Sequence, residues 1–580
     1  PAPLDMSLSA RWITGLIALA ALGGLGWAGL GWAGRAVRAD LETPRDLHGA
    51  PHATSLACAR CHPGQHDSWH RTFHRTMTQE ASEASVLGDF EGARFEYGGV
   101  EARMEREPGG GFGMRFLADG VELSRARIVR TVGSHRYQQY LAAEGDVLFR
   151  LPMAWHVEEG RWFHMNGAFL TPDPPAPPEG GHVAAQDYHR HVVRWNDNCV
   201  FCHNVAPNPG RRLEGDAARF ETELEELGVA CEACHGPADE HARVNANPVR
   251  RYALHLSDTP DPTIVNPRRL SPARSAEICG RCHGQRITDD VGRFLTRGDP
   301  FVPGDRLADY SRPLARDTAL GGDEAAFEQR FWPDGTARLT AYEYQGLLAS
   351  PCDELTCTSC HGMHEGDPSG QLRPGLEGDA QCAQCHEADG HSAHEATLCV
   401  DCHMPRVVYG LIGAYRSHRI EIPDPGVTGR PDACSLCHAE RDGAWVADGF
   451  ARLYGGQRPS AQGGVREGLL GGDPIERAMA AAALGRGEAL RHRAWRAGLL
   501  LDTLAEDPYP AVRRMAWRSL RALYTEAPMD WMGFVPTAAE GPRRAWVERA
   551  EAALSVRRPP RSQTAPLRRR AAQQAIFIGE

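Results

Sequence analysis

Apolar and polar positions follow a different pattern in each of three parts of the chain. Residues 12–34 carry no charge over 23 positions, and as a helix they would be about 35 Å long, enough to cross a bilayer. Between residues 85 and 195, stretches such as Arg94-Phe-Glu-Tyr97 and Gly113-Met-Arg-Phe-Leu117 alternate between glycine-rich turns, which predicts strands. After residue 465 the chain becomes Ala-rich with prolines near helix starts, which predicts helices.

The N-terminal apolar run has two interpretations. The first is a retained membrane anchor, which we favour because an ordinary signal core is only about 7–15 residues long. The second is a cleaved signal peptide, because Val37-x-Ala39 before Asp40 resembles a small-residue cleavage site. We therefore expect the protein to be bound to the lipid bilayer through residues 12–34, or to be secreted if the leader is removed.

The C-terminal part of the chain contains an approximate repeat. Arg477-Ala-Met479 and Arg513-Arg-Met515 lie 36 residues apart, each just after a Pro-containing helix start. This spacing favours helical hairpins of the HEAT type, and a plain helical bundle is the alternative. Arginines crowd the segment 557–580, which we expect to be a disordered tail.

The cysteines carry the strongest chemical signal in the sequence. The chain has 17 Cys and 26 His, and 16 of the Cys form eight Cys-x-x-Cys pairs, each followed directly by His. The eight motifs are Cys58-Cys61-His62, Cys199-Cys202-His203, Cys231-Cys234-His235, Cys279-Cys282-His283, Cys357-Cys360-His361, Cys382-Cys385-His386, Cys399-Cys402-His403 and Cys434-Cys437-His438.

This motif is the attachment signature of c-type haem, in which two thiols add across the porphyrin vinyl groups and the adjacent His binds the iron. Zinc sites also use Cys-x-x-Cys but need no His directly after each pair, and disulfides show no such fixed spacing. The sequence therefore predicts eight covalently bound c-type haems. Because such haem is attached outside the bacterial cytoplasm, we expect the periplasmic side of the inner membrane.

Composition and charge exclude several classes of site. All 64 basic residues are Arg, so the chain has no lysine for a Schiff base, a P-loop or a haem ligand. The net charge of −11 argues against a nucleic-acid partner.

Together these patterns predict the fold class and the domains. We expect a multihaem cytochrome c, mainly α and irregular around stacked haems, with a β-rich inserted domain and a C-terminal α-helical HEAT-like repeat region. The predicted domains are 1–39 (membrane anchor or signal peptide), 40–84 (first haem segment), 85–195 (β-rich insertion), 196–460 (seven haems), 461–556 (HEAT-like) and 557–580 (basic disordered tail).

From about residue 55 to 455 the chain resembles a family of bacterial multihaem c-type cytochromes. The segments that carry the likeness are Cys58-Ala-Arg-Cys-His62 with Trp69 and His74, Gln138-Gln-Tyr-Leu141, Gly228 to Pro237, Cys402-His-Met-Pro405 and Ser417-His-Arg-Ile420. Relatives include the tetrahaem cytochrome of ammonia oxidisers, and many are fused to tetratricopeptide repeats. The resemblance implies electron transfer, and the C-terminus departs from it.

Each iron also needs a sixth ligand, and 18 His lie outside the motifs. The candidates for this position are His74, His164, His241, His364, His391, His394 and His418. His241 and His364 follow motif histidines too closely to reach the far side of the same haem, so we expect each to serve a neighbouring one. Cys352 is the leftover cysteine, which is a buried free thiol, a thiolate ligand or an intermolecular disulfide partner.

Three functions compete at this point. The first is an electron carrier without catalytic activity, which passes electrons along mostly bis-His haems between membrane redox components. Its partner would be a membrane redox complex, a quinol-oxidising protein or a soluble carrier. The second is an octahaem reductase or oxidase of nitrogen or sulfur compounds with one open haem. The third is a haem-bearing structural subunit of a respiratory or photosynthetic complex.

Overall fold

A computed structural model provides the coordinates of the protein. It describes residues 45–175, 181–256, 259–352, 354–387, 394, 398–427, 429–455, 458–460, 463–486, 492–576 and 578. The apolar run 12–34 lies outside these residues. Within the described part of the chain, no helix has the length and apolar character needed to cross a bilayer.

The largest sheet has eight antiparallel strands. Strands β2 to β8 follow one another in sequence order across it, and β1 pairs with β5. The bounds are β1 Thr78–Glu80, β2 Ala93–Tyr97, β3 Val100–Arg106, β4 Phe112–Ala118, β5 Val121–Val132, β6 Tyr137–Glu144, β7 Val147–His156 and β8 Arg161–His164.

Alternating burial explains why these segments form strands. In β3, Val100, Ala102 and Met104 are buried while the residues between them are partly exposed, as the two-residue period of a strand requires. Apolar side chains from β2 through β8 meet in one cluster. The β4–β5 hairpin turns at Asp119-Gly120, where both residues have positive φ, the conformation that two-residue hairpins favour.

Short helices and loops carry the Cys-x-x-Cys-His motifs. The helices of this part are Ser55–Ala59, Pro63–His70, Ala185–Tyr188, Val200–His203, Cys231–His235, Asp239–Val244, Pro248–Leu256, Pro272–Gly280, Val291–Arg297, Glu343–Leu348, Cys357–Cys360, Ala380–Ala383, Cys399–His403, Ala433–Cys437 and Gly443–Tyr454. Two-stranded ladders join them: Arg212–Glu214 with Ala217–Arg219, Asn204–Val205 with Glu226–Leu227, Arg286–Thr288 with Ser311–Pro313, and Val408–Gly410 with Gly413–Tyr415.

The C-terminal helices surround the largest apolar core of the described residues. They are Val465–Gly471, Pro474–Leu484, Arg493–Glu506, Pro510–Leu523, Glu540–Leu554 and Arg561–Ala572. Asp473 caps the second of them by accepting hydrogen bonds from the amides of Ile475 and Glu476, which stabilises a helix start. The HEAT-like repeat itself stays a prediction.

The tail 557–580, which we expected to be disordered, contains the helix Arg561–Ala572. Its arginines find partners in the core helices: Arg568 binds the carboxylate of Asp502, and Arg570 donates to the carbonyl of Gly471. The charge run therefore folds because acidic and carbonyl groups of the preceding helices neutralise it, which the local sequence does not reveal.

The predicted fold class was wrong in its main statement. We expected a mainly α and irregular fold around stacked haems, whereas the eight-stranded sheet is the largest sheet and has its own side-chain core. A second and larger side-chain core lies among the C-terminal helices. The prediction failed for two reasons. It treated the alternating segments of residues 85–195 as a minor insertion, and it expected porphyrin rather than side chains to fill the core.

Candidate functional site

Five of the eight motif histidines face a second histidine that lies outside the motifs. The ring centroids of these pairs are separated by 5.9–6.4 Å. The pairs are His62 with His241, His283 with His74, His235 with His364, His361 with His418, and His438 with His394.

This separation fits one iron between two imidazoles. A metal–nitrogen bond is about 2.0 Å long, and a ring nitrogen lies roughly 1.1 Å from the ring centre, so two rings on opposite sides of one iron have centroids about 6.2 Å apart. The angle between the ring planes ranges from 17° for His62 and His241 to 86° for His74 and His283. Both angles are compatible with ligation, because each ring can rotate about its own metal–nitrogen bond.

Hydrogen bonds fix the orientation of several of these rings. Nδ1–H of His235 donates to the carbonyl of Val265 at 2.8 Å, and that of His361 donates to the carbonyl of Gly370 at 2.9 Å. His403, a motif histidine outside the five pairs, donates in the same way to the carbonyl of Glu421 at 2.7 Å. A proton held on Nδ1 leaves the lone pair of Nε2 for a metal. The same arrangement recurs in classical metal sites, where the second hydrogen bond sets the tautomer.

A carboxylate orients the ring of His241. Oδ2 of Asp261 lies 3.1 Å from Nδ1 of His241, and Oδ1 of Asp261 accepts a bond from Arg250 at 2.8 Å. The sequence does not mark Asp261, since it lies 20 residues from His241 between two prolines. Glu343 was missed in the same way, although its carboxylate lies 3.8 Å from Nδ1 of His283.

Burial keeps most of these imidazoles neutral, which is the form that binds a metal. Desolvation lowers the pKa of His74 to about 4 and lowers the pKa of His62, His364 and His418. His283 is the exception, because the neighbouring carboxylate of Glu343 raises its pKa to about 9.

Close backbone packing holds His418 in place. A Cβ on Gly346 would lie 2.8 Å from the carbonyl carbon of His418 and from the amide nitrogen of Arg419. Only glycine at this point of the helix Glu343–Leu348 therefore lets that helix approach the His418 loop.

The cysteines of different motifs meet one another. Sγ contacts join Cys58 to Cys231, Cys202 to Cys282, Cys279 to Cys357 and Cys382 to Cys399. Electrostatic interactions of thiols link three further motif pairs, Cys234 with Cys282, Cys360 with Cys385 and Cys402 with Cys437. All eight motifs thus belong to one connected series.

No family model, curated protein or solved structure matches the chain. The resemblance to multihaem cytochromes therefore stays a prediction. Among the described residues, no three or more His, Cys, Asp or Glu side chains are grouped so that they could hold a metal ion.

His164 is a predicted sixth ligand that does not join one of these pairs within the described residues. His164 is buried against Tyr97, with ring centroids 4.1 Å apart, and its Nδ1 accepts a hydrogen bond from the amide of Asn166. This bond places the proton of a neutral His164 on Nε2, and its choice as a haem ligand stays a prediction. His391 lies outside the described residues. Cys352 is a half-buried free thiol.

Proposed function

We propose that the chain is a periplasmic c-type cytochrome that carries eight haems and transfers electrons along them. The observation that carries the proposal is the set of five motif histidines that each face a non-motif histidine at an iron-bridging distance. Eighteen non-motif histidines are distributed along the chain, and five of them occupy the positions that bis-His ligation needs.

The residues fit c-type haem on two independent counts. The eight cysteine pairs have the spacing for covalent attachment, and the facing histidines supply a ligand on each side of the ring. Haem iron bound in this way changes its charge by one electron. The protein would fix the orientation of both imidazoles through hydrogen bonds from Nδ1–H to backbone carbonyls. It would also keep small molecules away from the iron.

The contacts between cysteines support transfer rather than storage. A porphyrin edge would lie beside the cysteine to which it is attached. Two haems attached to cysteines that contact each other would therefore have neighbouring edges. Thiol contacts join the first motif to the third, the fourth to the fifth and the sixth to the seventh. Electrostatic interactions between thiols link the third motif to the fourth, the fifth to the sixth and the seventh to the eighth. The second motif joins this series at the fourth through Cys202.

The proposed setting is the periplasmic face of the inner membrane, with residues 12–34 as the anchor. The uncharged length of this run is the support for an anchor. The partner that delivers or accepts electrons would be a membrane redox complex or a quinol-oxidising protein.

Haem content tests the proposal directly. The full-length protein is produced in a host that attaches c-type haem, and its intact mass should exceed that of the chain by eight haems. The double variant Cys434→Ala/Cys437→Ala should lose one haem, whereas Cys352→Ala, which changes only the leftover cysteine, should keep all eight. A wild-type count of seven or fewer contradicts the proposal.

A further inference from the structure

The helix Pro248–Leu256 presents an apolar stripe to solvent. Val249, Tyr252 and Leu256 are 51%, 70% and 89% exposed. Their spacing of three and four residues places them on one face of the helix. Contiguous exposed apolar side chains mark a surface that contacts another phase or molecule.

The opposite face of this helix is tied firmly to the protein. Arg250 is only 3% exposed, and its guanidinium donates to Oδ1 of Asp261 at 2.8 Å. The other oxygen of Asp261 lies 3.1 Å from Nδ1 of His241, whose ring faces His62. The apolar stripe is therefore connected through two side chains to the histidine pair of the first motif.

The start of the described chain indicates what covers the stripe. Arg45, its first residue, forms an ion pair with Glu240 of the helix Asp239–Val244, and the amide of Asp239 donates to the carbonyl of Pro51 at 3.3 Å. This helix lies just before Pro248–Leu256 in the chain. The first described residue thus lies against the helix that precedes Pro248–Leu256 by three residues of sequence.

Chain length then limits the distance to the membrane. Ten residues separate position 34, the last of the uncharged run, from Arg45. Such a segment spans at most about 36 Å when fully extended. A bilayer that holds residues 12–34 must therefore lie within roughly that distance of Glu240.

We infer that the helix Pro248–Leu256 lies on the bilayer surface, with Val249, Tyr252 and Leu256 in the interfacial layer. Amphipathic helices bind there through their apolar face, and tyrosine is favoured at that depth. The inference rests on the proposed membrane anchor. It makes the first motif, with His62 and His241, the haem site nearest the membrane and the point at which electrons pass between the bilayer and the protein.

Photolabelling from the lipid phase tests this placement. The full-length protein is inserted into nanodiscs of phosphatidylcholine and phosphatidylglycerol that contain a lipid with a photoactivatable group near its headgroup, and labelled peptides are mapped by mass spectrometry. We expect labelling of residues 12–34 and of 248–256. The variant Tyr252→Glu/Leu256→Glu should lose at least about fivefold of the label on 248–256, because charged side chains leave the interface.

The control variant is Val121→Glu/Leu123→Glu, which changes two similarly exposed residues of β5 and should leave the labelling of 248–256 unchanged. Lipid labelling of residues 12–34 without labelling of 248–256 would overturn the inference but leave the proposed membrane anchor in place. Failure of the protein to enter nanodiscs overturns the anchor and the inference together. If the same probe in native membranes joins 248–256 to another protein and not to lipid, the inference is also overturned.

Discussion

His418 is the residue at which ligation can be tested most directly, because it is half-buried and its ring lies 6.4 Å from that of His361. Replacing it in His418→Ala removes the only lone pair that the side chain offers. We expect one of the eight haems to become five-coordinate and high-spin, as seen by electron paramagnetic resonance and by visible absorption.

His255 provides the matched control for this experiment. It is an exposed histidine of the helix Pro248–Leu256, so His255→Ala should leave a fully low-spin spectrum. A low-spin spectrum in the His418→Ala protein as well would show that another group binds that iron.

Asp261 would act on the proposed haem through His241. A carboxylate on Nδ1–H makes an imidazole a stronger donor to the metal, which stabilises the oxidised form. Changing Asp261→Asn should therefore raise the reduction potential of one haem, by about 60 mV if the change is about tenfold in relative affinity. Potentiometric titration of the individual haems measures this shift.

Thr263→Val is the comparison for Asp261→Asn. Its hydroxyl donates to Oδ1 of Asp261 at 2.6 Å and lies 3.4 Å from Nδ1 of His241. Because the variant keeps the carboxylate beside His241, the potential should move much less. Equal shifts in the two variants would mean that general disturbance of the loop, and not the carboxylate on His241, sets the potential.

At the scale of elements, an ion pair between a buried arginine and a partly exposed aspartate joins the C-terminal helices to the segment after the sheet. Arg513 is completely buried in the helix Pro510–Leu523, and its guanidinium binds both oxygens of Asp173 at 2.7 and 2.8 Å. Its Nε donates to the carbonyl of Pro536 at 2.7 Å. The contact closes a loop of 340 residues, so it fixes how two distant parts of the chain pack.

We expect Arg513→Ala to lower the free energy of unfolding by about 2–3 kcal/mol, because it removes charge-assisted hydrogen bonds to Asp173, whose side chain is 31% exposed. Chemical denaturation followed by far-ultraviolet circular dichroism measures the loss. Arg561→Ala removes an exposed pair with Glu506 at 3.2 Å and should cost less than about 1 kcal/mol. A similar loss of unfolding free energy in the two variants would contradict a special role for the pair of Arg513 with Asp173.

The elements also show how far local pattern predicts structure. Asp119-Gly120 is a hairpin signal in the sequence, and the chain turns there. The Asp473-Pro474 start is equally local, and Asp473 caps that helix through side-chain bonds. The size of the sheet was underestimated. Each strand pairs with a strand of a neighbouring hairpin, and no single segment of the sequence shows that eight strands will form one sheet.

At the scale of the whole molecule, the 18 histidines outside the motifs predict a carrier without an open iron, since eight haems need only eight further ligands. Intramolecular histidines act at high effective concentration, so a small ligand must displace them before it can bind. We expect the reduced protein to bind little carbon monoxide and to turn over neither nitrite nor hydroxylamine at a physiological rate. Carbon monoxide difference spectra and steady-state assays measure both.

The His418→Ala protein serves as the positive control, since its five-coordinate haem should bind about one equivalent of carbon monoxide. Stoichiometric binding by the unchanged protein, together with steady turnover of nitrite or hydroxylamine, would favour an octahaem enzyme over a carrier.

The sequence by itself determined the eight Cys-x-x-Cys-His motifs and a surplus of histidines, because covalent attachment requires residues that are neighbours in the chain. It also indicated that His241 and His364 would serve a haem other than their own, since a proximal histidine blocks the near side. Both of these residues face histidines of other motifs in the structure.

Only the tertiary structure decided which histidine meets which motif. His62 faces His241 across 179 residues of sequence, and no local pattern encodes a meeting at that separation. The structure likewise placed His164 beside Tyr97 in the sheet and brought Asp261 to His241. The physical reason is that a ligand pair requires two side chains at one point in space, which depends on the path of the whole chain between them.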